Sequence, residues 1–151
     1  METTKTSKWQ SDRLLFLGML LFLIGLVFAL FIPVMANPRM GLSAHLEGVL
    51  NGLFLLLLGL IWHKLALSER TLSYIFWLTV YGSFANFLAV SMAAMTGAGK
   101  MMPIAGGKEG TTVIEGIISF LLISLALAMI LVCTMVLTGL YRSMMQAGPK
   151  S

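Results

Sequence analysis

Charge is what this sequence has least of. Asp, Glu, Lys and Arg make up 11% of its 151 residues, whereas a soluble domain carries roughly 25%. So few charges cannot cover the surface of a water-exposed protein this small. Cysteine is almost missing too. Cys133 alone excludes an internal disulfide, and its place in an apolar run reads as a small buried hydrophobe rather than a reactive thiol. There is no P-loop, Cys-x-x-Cys pair, dinucleotide fingerprint or Ser-His-Asp set. The net charge of +4 comes from basic residues scattered at the ends of apolar runs. Membrane anchors are placed that way, so no nucleic-acid partner is expected. The twelve methionines form no cluster alternating with histidine and read as adaptable apolar surface, not copper ligands.

Apolar residues fill the chain instead. They make up 58% of it, and the mean hydropathy is +0.94. Leu14 to Met35 runs 22 residues without a charge, enough to cross a hydrocarbon core about 30 Å thick. Gly18, Gly25 and Ala29 fall on one helical stripe there, suited to close packing. Three more apolar runs follow. Turns at Asn37-Pro38-Arg39 and Ser68-Glu69-Arg70 and a glycine-rich loop over 96–112 separate the four. The chain is expected to be all-α: one integral-membrane four-helix bundle over 1–151, homo-oligomeric, with helices over about 14–36, 42–66, 72–95 and 113–142. The short alternating segments of a barrel are absent. Four spans put both termini on one side, with Lys5, Lys8, Arg13, Lys64, Arg70, Arg142 and Lys150. Only Arg39, Lys100 and Lys108 lie on the other. That imbalance places the termini in the cytoplasm.

Polar residues inside the runs are the functional candidates, because lipid tolerates them poorly. His45, Glu47 and Asn51 open the second run. Glu115 and Ser119 open the fourth. Asn86 lies about 14 Å short of the outer end of the third run, at 1.5 Å per residue, and Tyr81 is deeper, near mid-membrane. All fall in the outer half or the midplane. Glu47 and Asn51 are four apart and share a face. His45, Gly48 and Gly52 form an adjacent stripe, whose glycines leave room for a flat group or for another backbone. One polar pocket between the four helices is expected, with its side chains projecting inward. Each residue has a plainer reading beside this one. Glu47 or Glu115 alone suits a helix N-terminus, Asn51 and Asn86 suit interhelical hydrogen bonds, and His63, between Trp62 and Lys64, is interfacial. An imidazole in a bundle makes a good axial haem ligand, and Glu47 with Glu115 could instead do metal-free acid–base work.

The stretch Asn37-Pro38-Arg39-Met40-Gly41-Leu42-Ser43-Ala44-His45-Leu46-Glu47-Gly48-Val49-Leu50-Asn51-Gly52 resembles the hallmark of the bacterial hydroxylaminobenzene mutases. Tyr81-Gly82-Ser83-Phe84-Ala85-Asn86, Met101-Met102-Pro103-Ile104-Ala105 and Glu115-Gly116-Ile117-Ile118 resemble three further blocks of that family, in order. The resemblance spans roughly residues 14 to 142. It implies a multi-pass enzyme of the bacterial inner membrane that turns a small aromatic, hydroxylaminobenzene, into 2-aminophenol. Ala44-His45 and Leu50-Asn51-Gly52 also resemble styrene oxide isomerase, a four-helix trimer with haem b between its subunits. That likeness implies haem b on His45, Gly48 and Gly52 beside it, Asn51 on the substrate, and a homotrimer with haem near the interface. Ala85-Asn86 resembles that isomerase's pair on the third helix. Its aspartate and tyrosine there have no clear counterpart around Tyr81-Gly82 and Val90. Glu47 and Glu115 follow the mutase pattern, and with Tyr81 and Asn86 they are candidates for proton handling or positioning. The 96–112 loop is a candidate lid or an ordinary connection. Epoxide isomerisation, a non-enzymatic haem or quinone subunit, and a proton-coupled multidrug transporter are the competing readings.

Overall fold

A computed structural model describes residues 5–146; Lys150, counted in the charge balance, lies outside them. Four helices account for most of the chain: α1 (Lys5–Ala29), α2 (Pro38–Ile61), α3 (Glu69–Thr96) and α4 (Thr112–Gln146). Each is long and apolar enough to cross a membrane. Short 3-10 turns at Ile32–Val34, Trp62–Lys64 and Pro103–Ala105 lie between them.

The helix ends follow from local chemistry. α1 begins at Lys5, nine residues before its apolar run, because its polar first turns are held from outside. Gln10 is buried. Its amide donates to Ser73 Oγ (3.0 Å), and its carbonyl accepts from Trp62 Nε1 (3.2 Å). Ser11 Oγ donates to the Gly59 carbonyl (2.8 Å). The helix stops at Ala29 rather than near 36. Pro33 has no N–H to give, and the chain tightens into a 3-10 turn. Pro38 takes the first position of α2, and Asn37 Oδ1 accepts the Met40 N–H (3.2 Å), capping it. Ser68 caps α3 in the same way. That helix ends on Gly97, at φ +77°, a conformation that a side chain would strain.

α1 lies along α2 over the largest contact in the molecule, and α3 packs on α2 and α4 and touches α1 over a shorter line. Three helices thus form a packed triangle, and α4 rests mainly on α3. The α1–α2 seam brings backbones together. A Cβ built on Gly48 would stand 2.7 Å from Gly25 Cα, and one on Gly18 would stand 2.8 Å from the Gly52 carbonyl oxygen. Leu14, Leu21, Leu55, Trp62 and Ile75 are fully buried between the helices. The outward faces are apolar as well: Leu50, Leu57, Phe120, Leu127 and Leu137 are all well exposed. Such a surface is stable against lipid, not water. Cys133 belongs to it. Expected in the core, it is exposed, because α4 buries only a narrow stripe against its neighbour.

Candidate functional site

Three predicted residues meet where α2 faces α3. One helical turn places Asn51 beneath Glu47, and Asn51 Nδ2 donates both to Glu47 Oε2 (3.0 Å) and to the Glu47 carbonyl (2.9 Å). From α3, Asn86 Nδ2 donates to the same Oε2. Two amide N–H groups thereby replace the water that this oxygen would otherwise bind. Among the described residues, Glu47 Oε1 and the Oδ1 atoms of Asn51 and Asn86 accept no hydrogen bond, and none of these atoms is sealed from outside. The cluster therefore offers three open acceptors to a molecule carrying N–H or O–H donors.

His45 lies on the other flank of α2. Six residues separate it from Asn51, which puts the two about 120° apart around the helix. Its Nδ1 is 2.8 Å from the Gly25 carbonyl oxygen of α1. A carbonyl only accepts, so Nδ1 carries the proton and Nε2 keeps its lone pair. Nε2 has no partner among the described residues and is not sealed. An imidazole oriented by a backbone carbonyl through one nitrogen and free at the other is set up as a metal ligand. No group of three or more His, Cys, Asp and Glu side chains is placed to hold an ion among the described residues.

The single pocket between four helices is not what forms. Gly48 and Gly52 turn to α1, whose backbone fills the space above them, so they admit a helix and not a flat cofactor. Tyr81 faces α4, where its hydroxyl lies 2.6 Å from Ser124 Oγ. Glu115, in the first turn of α4, turns back to the α3–α4 loop. Its Oε1 accepts the N–H groups of Gly110 (2.9 Å) and Lys100 (3.3 Å), while Oε2 is buried without a partner. With the Gly99–Lys108 and Lys108–Gly97 backbone bonds, it ties that loop down. The predicted residues are thus divided among the α1–α2 seam, the α2–α3 seam, the α3–α4 seam and the α3–α4 loop. Sequence reasoning missed Gly25 as the group that orients His45. Its glycine stripe was visible, but a backbone carbonyl leaves no mark in a side-chain pattern. It also missed Ser124, which nothing in the sequence pairs with Tyr81.

The family model described as styrene oxide isomerase matches residues 10–141. Hydroxylaminobenzene mutase HabB of Ectopseudomonas oleovorans is 52% identical over 142 residues, covering 93% of this chain and 87% of that protein. Hydroxylaminobenzene mutase HabA of the same organism is 45% identical over 127 residues, covering 83% and 94% respectively. No solved structure matches.

Proposed function

The chain belongs to the styrene oxide isomerase family and is an isomerase or mutase, and from that premise we propose that it rearranges an aryl hydroxylamine to an ortho-aminophenol. The substrate class rests on the names of the two mutases. The structural observation that carries it is the trio Glu47, Asn51 and Asn86, whose three open acceptors suit the N–H and O–H donors of an aryl hydroxylamine.

The reaction is an isomerisation. The N–O bond breaks, an ortho C–O bond forms, the ring proton leaves and nitrogen gains a proton, so no oxidant or reductant is consumed. Asn51 and Asn86 fix the polar end of the substrate by accepting its hydrogens. Glu47 Oε2 is already occupied by two amides, which leaves Oε1 to carry the proton between ring carbon and nitrogen. His45 would hold haem b through Nε2, with its ring set by the Gly25 carbonyl. Ferric haem held there would supply Lewis acidity. The apolar outer surface lets an aromatic arrive through lipid and keeps bulk water from the seam.

His45 and the amide–carboxylate trio lie on different flanks of α2, and a substrate that is to touch both is best served where two copies meet. A homotrimer with haem near each interface meets that requirement. This reading puts the chain in the bacterial inner membrane with both termini cytoplasmic, which the seven basic residues on the side of the termini against three on the other support. Glu115 and Tyr81 support the scaffold in this reading.

Isomerisation of an epoxide is the second reading, favoured by the description of the family model. Purified protein given phenylhydroxylamine and styrene oxide separately decides between them. Conversion of phenylhydroxylamine to 2-aminophenol is expected. A phenylacetaldehyde product from styrene oxide alone would move the assignment to the second reading. A Soret band that is lost in His45→Ala is expected as well; full activity in protein without haem would remove His45 from the mechanism.

A further inference from the structure

The end of the bundle opposite the termini carries a concavity that the proposed chemistry does not use. A cleft of about 590 Å³ opens between the α1–α2 turn and the α3–α4 loop. Arg39 enters its lining from α2 and Lys108 from the loop, with Asn37 and Thr96 beside them and no carboxylate. Among the described residues neither cationic side chain has a hydrogen bond or an ion pair. Two unpaired cations therefore face one hollow.

At Ala36 this cleft meets a second hollow of about 360 Å³, lined by Phe28, Phe31, Val34, Met35 and Met95. It contains no charged residue. Phe31, Val34 and Met95 are more than half exposed, so it opens outward along the hydrocarbon face. A cationic cleft joined to an apolar groove is the complement of a molecule with an anionic head and a hydrocarbon tail. A zwitterionic head would set its own cation against Arg39 and Lys108. A free phosphate would leave the groove bare.

We propose that this paired concavity binds one anionic membrane lipid, its phosphate against Arg39 and Lys108 and an acyl chain along Phe28, Phe31 and Met95. The lipid joins the α1–α2 turn to the α3–α4 loop, two segments already linked by the hydrogen bond from Asn37 Nδ2 to the Ala105 carbonyl (3.3 Å).

The test uses the whole chain, delipidated in a neutral detergent. It is titrated with phosphatidylglycerol, with phosphatidylcholine of the same chains, and with inorganic phosphate, and followed by native mass spectrometry and thermal unfolding. One phosphatidylglycerol is expected to be retained per chain, raising the unfolding temperature, with phosphatidylcholine held much more weakly and phosphate giving no shift. Interfacial cations contribute about fivefold each in affinity, so Arg39→Gln with Lys108→Gln weakens phosphatidylglycerol by about 25-fold. Lys64→Gln, at the other end, leaves it unchanged. If the double variant does not fold, Lys108→Gln alone, on an exposed loop, is expected to lose about fivefold. Equal retention of the two lipids, an equal shift from phosphate alone, or undiminished binding by the Arg39 and Lys108 variants would each overturn the proposal.

Discussion

Replacing Gly48 by alanine adds one methyl group where α1 and α2 already touch. That carbon would lie 2.7 Å from Gly25 Cα and 3.2 Å from Phe87 Cδ2, whereas carbon atoms settle at about 3.5–4.0 Å. The helices must part by roughly 1 Å to admit it. Overpacking of this kind costs about 1–3 kcal/mol, and the better helix propensity of alanine returns about 1 kcal/mol. Gly116→Ala isolates the first quantity, because a Cβ on Gly116 meets nothing within 4 Å and gains only the propensity. The two variants should therefore differ by about 1–3 kcal/mol, with Gly48→Ala the less stable. Reversible unfolding in mixed micelles, followed by far-ultraviolet circular dichroism, measures the difference. The same displacement pulls Gly25 away from His45, whose Nδ1 now lies 2.8 Å from the Gly25 carbonyl oxygen. Gly48→Ala should therefore weaken haem retention while Gly116→Ala does not. Equal stabilities would show that the seam is not closed on glycine and that the geometry given for His45 is wrong.

Three further outcomes follow from the same contacts. Asn51 and Asn86 donate to one oxygen of Glu47, so a double-mutant cycle on Asn51→Ala and Asn86→Ala should show a coupling of about 0.5–3 kcal/mol in stability. Additive effects would mean that the trio does not act together. Chains carrying His45→Ala and chains carrying Asn51→Ala should each be nearly inactive alone. When they are co-expressed in equal amounts, about a quarter of the interfaces in a trimer join an intact His45 to a neighbour's intact Asn51, so about a quarter of the activity returns. No recovery in mixed oligomers would confine the site to one chain. Glu115→Leu removes the acceptor for the Gly110 and Lys100 N–H groups. Hydrogen exchange at those two amides should then speed up by at least about tenfold, since a lost hydrogen bond to a charged group is worth about 1.5–3 kcal/mol. Unchanged exchange would show that the carboxylate does not hold the loop.

The parts of this molecule that lipid dictates could be read from the sequence. Four apolar runs had to become four helices, because no other backbone arrangement of that length satisfies its own hydrogen bonds in hydrocarbon. The four-residue step from Glu47 to Asn51 fixed their shared face for the same reason that any helix does. What stayed hidden depended on partners far away in sequence. The polar start of α1 is helical because Trp62 and Ser73 lie beside Gln10, and nothing in residues 5–13 announces those neighbours. Gly48 and Gly52 had two equal readings, a planar guest or a second backbone, and only the position of α1 decides. The depths of His45, Glu115 and Tyr81 suggested one chamber. Depth says nothing about direction around a helix, and direction separates them.

The long contact between α1 and α2 bears on biosynthesis. Both helices and the link between them are complete once residue 61 has been made. The hairpin can therefore close as it leaves the insertion machinery, without waiting for α3 or α4. The carbonyl that sets the imidazole lies in the first span and the imidazole in the second. The ring can thus be oriented before Asn86, on the third span, has entered the membrane.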